Sequence, residues 1–165
     1  MSRRCKPIPK LDRDVSCYLA GLMDGEGCLM IQRQRKHGPS PHWCYSPEVR
    51  LVLSHKETME WVAKKIDREL KAWVPKSDKH KLCYRLSISD SVGVAYLIEQ
   101  LLPFLIVKRD AAAALLEFCR SRKIKQSNSY NPSYSDDEVR MHHVIRALNR
   151  KGRPVVSANF GGYAN

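Results

Sequence analysis

The spacing of apolar side chains along this chain changes between two periods, and each change marks a predicted element. Apolar residues recur at helical spacing over 14–25, then alternate with polar ones over 28–36 and from about 46 to 53, as in half-buried strands. The same patterns predict a helix from 54 to about 70, strands around 73–74 and 82–88, and helices over 90–102, 107–122 and 135–149. The predicted order is αββαββα with trailing helices.

Polar side chains that can cap free backbone N–H groups precede several of these helices. Asp12 or Asp14 can cap the first helix, and Asp90 can cap the third. Capping boxes, in which a Ser is followed three positions later by a Glu, are predicted at Ser54–Glu57 and Ser135–Glu138.

This order fits an α+β fold with a curved, four-stranded antiparallel sheet that has one face against helices and one polar, basic face forming a saddle. Glutamine, arginine and lysine at alternate strand positions can reach base edges and phosphates, and a solvated sheet face is the alternative. The candidate nucleic-acid-binding residues are Gln32, Gln34, Lys36, Glu48, Arg50, Lys76, Lys81, Arg85, Arg150 and Lys151.

The charge of the chain supports a polyanionic partner. Its 29 Lys and Arg residues against 17 Asp and Glu give a formal net charge of +12. Nucleic acid is favoured over an anionic membrane because no long amphipathic cationic helix stands out. The 165 residues suit one domain, expected over 1–153 with a basic arm over 1–11, followed by a tail over 154–165.

The six cysteines are dispersed, and none forms a CxxC pair. Because the basic start is not followed by an apolar core, we expect no secretory signal and free thiols in a reducing, intracellular compartment, either an organelle or a bacterial cytoplasm. His37, His42 and Cys44 could suggest zinc, but their spacing matches no standard site, and a polar loop is the simpler interpretation.

One short stretch, residues 19–27, combines two unusual features. Gly21 and Gly25 lie four residues apart on one helix face, where each glycine costs about 0.5–1 kcal/mol relative to alanine, so another backbone is expected to approach there. Asp24 and Glu26 follow at the helix C-terminus, where the macrodipole disfavours carboxylates. A bound divalent cation would reverse that penalty.

The sequence of this stretch, LAGLMDGEG, resembles the LAGLIDADG motif of homing endonucleases, with six of nine positions identical. The resemblance extends to about Arg153 and is closest to the single-motif, homodimeric type encoded in organellar introns. His55 ahead of Trp61, the segment 101–108 ending in Lys108, and the Ala-Leu-Asn of 147–149 are similar to further segments of that family.

The resemblance implies roles for several residues. Glu26, at the eighth motif position, would bind catalytic Mg²⁺ together with Gly25, and Mn²⁺ or Ca²⁺ could substitute in binding. His55, where the family often has glutamine, would orient water or act as a base. Lys108 would lie near the scissile phosphate and stabilise developing charge.

One motif per chain implies a homodimer. Faces bearing Gly21 and Gly25 would pack together and bring both Glu26 carboxylates over the minor groove of double-stranded DNA. The expected reaction is a double-strand break at a long, near-palindromic target that promotes intron homing. No small-molecule cofactor and no membrane is expected.

Two other classes of function remain open at this point. The same fold can serve as a catalytically silent maturase that helps its intron RNA to fold, or as a DNA-binding regulator. A basic RNA-binding or ribosome-associated protein would explain the charge, but it would not explain the run of glycines and acids.

Overall fold

The structure, a computed structural model, describes residues 7–36, 42–73, 81–125 and 134–150. Within these residues the elements follow the predicted order, with a short 3-10 turn before the fourth helix. Their bounds are α1 Arg13–Glu26, β1 Gly27–Lys36, β2 His42–Leu53, α2 Lys56–Lys65, β3 Lys71–Trp73, β4 Cys83–Ile88, α3 Ser91–Leu101, the turn Leu102–Phe104, α4 Arg109–Lys125 and α5 Asp136–Leu148. None of the described helices is long and apolar enough to span a bilayer.

The strands form one antiparallel sheet in the order β1-β2-β4-β3, which confirms the predicted α+β class and four-stranded sheet. Strands β1 and β2 pair from Gly27 opposite Leu51 to Lys36 opposite His42. Strand β2 therefore begins earlier than the alternation alone predicts. The Arg33 guanidinium lies 3.8 Å from the centroid of the Trp43 ring, and this contact supports the extension.

The two faces of the sheet differ as the alternation predicts, because successive strand residues point to opposite sides. The buried face packs against the helices and contributes Leu29, Ile31, Val49, Leu51, Leu86 and Ile88 to the core. We call the opposite side the polar face. It consists of Cys28, Met30, Gln32 and Gln34 of β1, Cys44, Ser46, Glu48, Arg50 and Val52 of β2, Cys83, Arg85 and Ser87 of β4, and Lys71 and Trp73 of β3.

Two of the predicted helix caps are confirmed in detail. The Asp90 carboxylate accepts a hydrogen bond of 2.6 Å from the backbone N–H of Gly93 at the start of α3. Ser135 and Glu138 form the predicted capping box of α5. Asp12 occupies the N-cap position of α1, although its carboxylate makes no capping hydrogen bond to the described residues.

The predicted start and end of α2 are wrong. Its N-cap is His55 rather than Ser54, because the His55 ring accepts a hydrogen bond from the backbone N–H of Thr58. The helix ends at Lys65 instead of near residue 70, since the chain turns at Ile66 and Asp67, with Asp67 in the left-handed region at φ 50°. The following strand, β3, starts two residues before the position predicted for it.

Helix α5 covers the outer edge of β1, which would otherwise present unpaired backbone groups. The Nδ1–H of His142 donates to the carbonyl oxygen of Ile31 at 2.8 Å, and the Asn149 amide donates to the carbonyl oxygen of Leu29 at 2.7 Å. Burial lowers the pKa of His142, and the hydrogen bond to Ile31 only partly opposes this, so the ring is neutral near pH 7. Side chains thus close the edge that backbone pairing leaves open.

A buried ion pair joins α5 to α4. Glu138 is fully buried, and its carboxylate lies 3.4 Å from Nη1 of Arg122, which is also buried. The Arg122 guanidinium stacks on Tyr134 at 4.4 Å from the ring centroid, and the Tyr134 hydroxyl donates to the carbonyl oxygen of Tyr45. This network links α4, α5 and β2, and it holds α5 against the sheet.

Replacing Glu138 with Gln should lower the free energy of unfolding by about 3–5 kcal/mol, because the buried Arg122 loses its counter-charge. Urea unfolding followed by circular dichroism measures the change. Asp137→Asn is the matched control, since it removes an exposed carboxylate 3.3 Å from Arg140 and should cost less than about 1 kcal/mol. Equally small effects of both variants would contradict the role given to the buried pair.

Candidate active site at the end of the first helix

The last residue of α1, Glu26, is followed directly by the first residue of β1, so no loop separates the helix from the sheet. Gly27 makes this junction possible. A Cβ added there would lie 2.0 Å from the Met23 sulfur and 2.7 Å from the Met23 carbonyl oxygen. The backbone of the exposed residue Glu26 is therefore held directly beside the strand that begins at Gly27.

The two glycines of the predicted dimer face are exposed, and they have no packing role within one chain. A Cβ added at Gly21 or at Gly25 would meet no other atom within 4 Å among the described residues. Their lack of side chains therefore does not serve a close contact inside the described chain. Because these positions carry no side chains, a second helix could approach the backbone of α1 closely there.

Asp24 ties the last turn of α1 to the segment that precedes α4. Its Oδ2 accepts from the backbone N–H of Ile106 at 2.8 Å, and its Oδ1 accepts from the backbone N–H of Lys108 at 2.9 Å. Desolvation raises the pKa of Asp24, but the hydrogen bonds from Ile106, Lys108 and Val107 and the Lys108 charge outweigh it, so the pKa lies below its usual value. The carboxylate also meets the positive end of the α4 dipole.

The same contacts bring Lys108 to the turn that carries Glu26. The Lys108 ammonium donates to the carbonyl oxygen of Asp24, two residues before Glu26. The structure therefore places two of the three predicted catalytic residues at one end of α1. The sequence pointed to Asp24 only as one of two acids that a cation could stabilise, and its bonds to the backbone of residues 106 and 108 were not predicted.

His55, the third predicted catalytic residue, has a structural task in this conformation. Its Nδ1 caps α2, and its Nε2 lies 3.3 Å from the Glu57 carboxylate. The ring helps to line a cavity of about 490 Å³ with Tyr18 and Trp61. Within the described part of the chain, no hydrogen bond or ion pair joins His55 to Glu26 or Lys108.

Most of the predicted nucleic-acid-binding residues that the structure describes lie on the polar face. Gln32, Gln34, Glu48, Arg50 and Arg85 belong to it. Lys81 is exposed just before β4, and Arg150 is exposed just after α5. The Lys36 side chain, Lys76 and Lys151 lie outside the described residues.

Lys71 is an exposed residue of β3 that is paired with Arg85 on the polar face, and it was not among the predicted nucleic-acid-binding residues. The predicted strand began two residues too late to include it, and the alternation of charged residues from 69 onwards was the available signal. Lys71 adds a second cation beside Arg85, so positive charge reaches the far strand of the sheet.

Glu26 is the candidate metal ligand, and it does not belong to a preformed cluster of ligand side chains. Among the residues that the structure describes, no three His, Cys, Asp or Glu side chains come together as a possible ligand group. Of the residues considered for zinc, His37 and the His42 side chain lie outside the described residues. Glu26 supplies an exposed carboxylate, and the C-terminal carbonyl groups of a helix, here including that of Gly25, lack intrahelical partners. Carboxylate and carbonyl oxygens suit Mg²⁺.

The open antiparallel sheet and the acidic end of its first helix agree with what comparison with known protein families finds. A family model described as LAGLIDADG endonuclease matches residues 19–110, more than half of the chain. The chain therefore belongs to the LAGLIDADG endonuclease family, which confirms the resemblance drawn from the motif. No curated protein matches the sequence.

Solved structures share the fold over most of the chain. The homing endonuclease I-CvuI, in complex with a DNA target in the presence of Mg, is similar with a TM-score of 0.65 and 18% identity over 86% of this chain and 87% of that one. The archaeal intron-encoded I-Vdi141I, complexed with DNA, has a TM-score of 0.61 and 13% identity over 88% and 91% of the two chains. I-LtrWI, bound to target DNA, has a TM-score of 0.57 and 18% identity, and the match covers 87% of this chain but 47% of the larger one. At these identities the likeness is one of fold.

Asp24→Asn should lower the free energy of unfolding at pH 7 by about 1–3 kcal/mol, because an amide has one acceptor oxygen where the carboxylate has two. Since the folded-state pKa is lowered, the contribution of Asp24 to stability is present above the ordinary value of 3.8 and is lost as the pH falls through the folded pKa. Urea unfolding at pH 7 and near pH 3 measures both effects. The wild type and Asp24→Asn should therefore differ less at the lower pH.

Asp110→Asn is the matched control for this variant. It removes the same charge from the first turn of α4, where Asp110 is exposed, and it should cost about 0.3–1 kcal/mol through the helix dipole alone. If Asp24→Asn is no less stable than Asp110→Asn at pH 7, the anchoring role of Asp24 is wrong.

Proposed function

We propose that this protein is a homodimeric, divalent-metal-dependent endonuclease that makes a double-strand break in a long, near-palindromic DNA target and so promotes intron homing. The observation that carries the proposal is the last turn of α1. An exposed Glu26 follows two residues after Asp24, and Asp24 holds Lys108 beside the same turn. An exposed carboxylate and a cation that is anchored to the same helix turn suit phosphodiester hydrolysis.

The chemistry we propose divides the work between these residues. Mg²⁺, when bound by Glu26 and the carbonyl of Gly25, would supply Lewis acidity and an activated water. Lys108 would stabilise the charge that develops on the phosphate, and its position is set through Asp24. One similar protein, I-CvuI, has been solved on its own DNA target in the presence of Ca and on another target, which was not cleaved, in the presence of Mg; these ions support the choice of a divalent metal.

Homodimerisation is supported by the surface around the two glycines. Ile106 and Val107 are 85% and 77% exposed, and the backbone N–H of Ile106 is bonded to Asp24 on the same helix as Gly21 and Gly25. Exposed apolar side chains beside a bare stripe of helix favour burial against another protein surface. A second copy related by two-fold symmetry would cover this surface and would bring the two Glu26 carboxylates together.

DNA binding is supported by the polar face and by the net charge of +12. Arginine and glutamine side chains on alternate strand residues suit guanine and adenine edges in the major groove, and Lys71 and Lys81 can contact phosphates. A two-fold dimer would present two such faces, and this is the reason for proposing a near-palindromic target.

Glu26→Gln should retain DNA binding and lose cleavage. Loss of the metal-binding carboxylate removes several kcal/mol of transition-state stabilisation, so we expect cleavage to slow by about 100-fold or more. A library of near-palindromic duplexes incubated with Mg²⁺ measures cleavage, and gel shift in Ca²⁺ measures binding. The control Glu60→Gln removes an exposed carboxylate 3.4 Å from Lys56 on α2 and should cleave like wild type.

Two results would contradict this proposal. If Glu26→Gln cleaves as fast as wild type, Glu26 does not bind the catalytic metal. If wild type binds a duplex tightly but never cleaves it in Mg²⁺ or Mn²⁺, the protein acts as a silent DNA-binding regulator or a maturase.

A further inference from the structure

One acidic side chain on the polar face is buried rather than presented to solvent. The Glu48 side chain is 8% exposed, although it lies on the side of the sheet that the helices do not cover. Its Oε1 accepts from Nε of Arg50 at 2.9 Å and lies 2.8 Å from Nη2 of the same guanidinium. Its Oε2 accepts from the side-chain amide of Gln32. Both carboxylate oxygens are therefore occupied by neighbours on the same face.

Glu48 also sets the direction of a short chain of hydrogen bonds. Because an ionised carboxylate can only accept, the NH₂ group of Gln32 must point towards it. The amide oxygen of Gln32 then faces Gln34, whose NH₂ group donates to it at 2.8 Å. One buried acid thus determines which way two amides on β1 are turned.

The bond to Arg50 leaves the outer edge of its guanidinium available. An arginine has five N–H groups, and Glu48 engages one on Nε and one on Nη2. The N–H groups that point away from Glu48, on Nη1 and Nη2, form the parallel pair that can bond both O6 and N7 of a guanine. The Arg50 side chain is 32% exposed, so this edge can reach a ligand that lies on the polar face.

We propose that Glu48 is a positioning residue that sets the sequence preference of this protein by orienting Arg50, and does not itself contact a base. Held in this way, Arg50 reads one guanine in each half of the target. The inference rests on the proposed DNA-binding function and goes beyond it, because it assigns the origin of a base preference to a residue beneath the contact surface.

Glu48→Gln tests this directly, since the amide is of nearly the same size but carries a donor that must face either Arg50 or Gln32. Randomised near-palindromic duplexes, bound in Ca²⁺ and sequenced, give the preference at each position for wild type and variant. One bidentate contact corresponds to about 5- to 150-fold in discrimination. We expect Glu48→Gln to lose at least about fivefold of the guanine preference at one position per half-site.

The matched control is Glu99→Gln, which removes an exposed carboxylate 3.0 Å from Arg120, on α3 and away from the sheet. It should leave every base preference unchanged while raising the net charge by the same amount. Arg50→Lys keeps the charge but lacks the planar fork, so it should lose the same guanine preference. Adding Glu48→Gln to Arg50→Lys should then cause little further change at that position.

Replacing the contacted guanine with 7-deazaguanine tests the proposal on the unmodified protein, in case Glu48→Gln does not fold. Wild type should bind the modified duplex about 2- to 12-fold more weakly, since one of the two acceptors of the bidentate contact is missing. Arg50→Lys should be nearly insensitive to the same change in the DNA.

The possible failures can be told apart. If wild type binds no duplex in Ca²⁺, the proposed function itself is wrong. If it binds selectively but Glu48→Gln keeps the same preferences, or changes affinity equally for all sequences, Glu48 acts only as a charge or a structural group and this inference is overturned. A guanine preference that survives Arg50→Lys would overturn it as well.

Discussion

The pair of hydrogen bonds from the backbone of Ile106 and Lys108 to the Asp24 carboxylate holds the candidate active site together. They join two parts of the chain that are more than eighty residues apart, the end of α1 and the start of α4. Without them, Lys108 would have no fixed relation to Glu26. Because the start of α4 is rich in unsatisfied N–H groups, a carboxylate from another helix is a favourable partner for it.

The absence of a loop between α1 and β1 extends this constraint to the sheet. Glu26 ends the helix, and the polar face begins with Cys28, two residues later. Glu26 and the candidate recognition residues of β1 therefore share one continuous segment of helix and strand. This arrangement suits an enzyme that has to place a cut at a fixed distance from the bases that it reads.

Local patterns in the sequence predicted the order of the elements and the capping box of α5, because each depends on residues close together in the chain. The antiparallel sheet was predicted from that order, although β2 pairs with β4 across an intervening helix and strand. The start of α2 was wrong because two candidate caps, Ser54 and His55, stand side by side, and the spacing of Glu57 favoured the wrong one. The His55 ring makes the cap instead. The spacing of residues in the sequence cannot decide which of two adjacent residues caps the helix.

The sequence named both Asp24 and Glu48 as candidates, but the roles that the structure gives them depend on contacts that only the fold creates. The role of Asp24 appears only when residues 106–108 are placed beside it. The burial of Glu48 likewise depends on the register that sets Gln32 and Arg50 on either side of it. The alternation of residues placed Glu48 on the correct face, but it could not show that its carboxylate is already bonded by its neighbours.

If two copies meet at the exposed glycine face of α1, sedimentation equilibrium will detect the dimer. We expect a mass of two 19.0 kDa chains for wild type and of one chain for Gly21→Leu, whose side chain would keep the helices apart. Glu117→Leu, which adds the same side chain at an exposed position on α4, should remain a dimer. A wild-type protein with the mass of one chain, or a Gly21→Leu variant as dimeric as wild type, would show that two copies do not meet at this face.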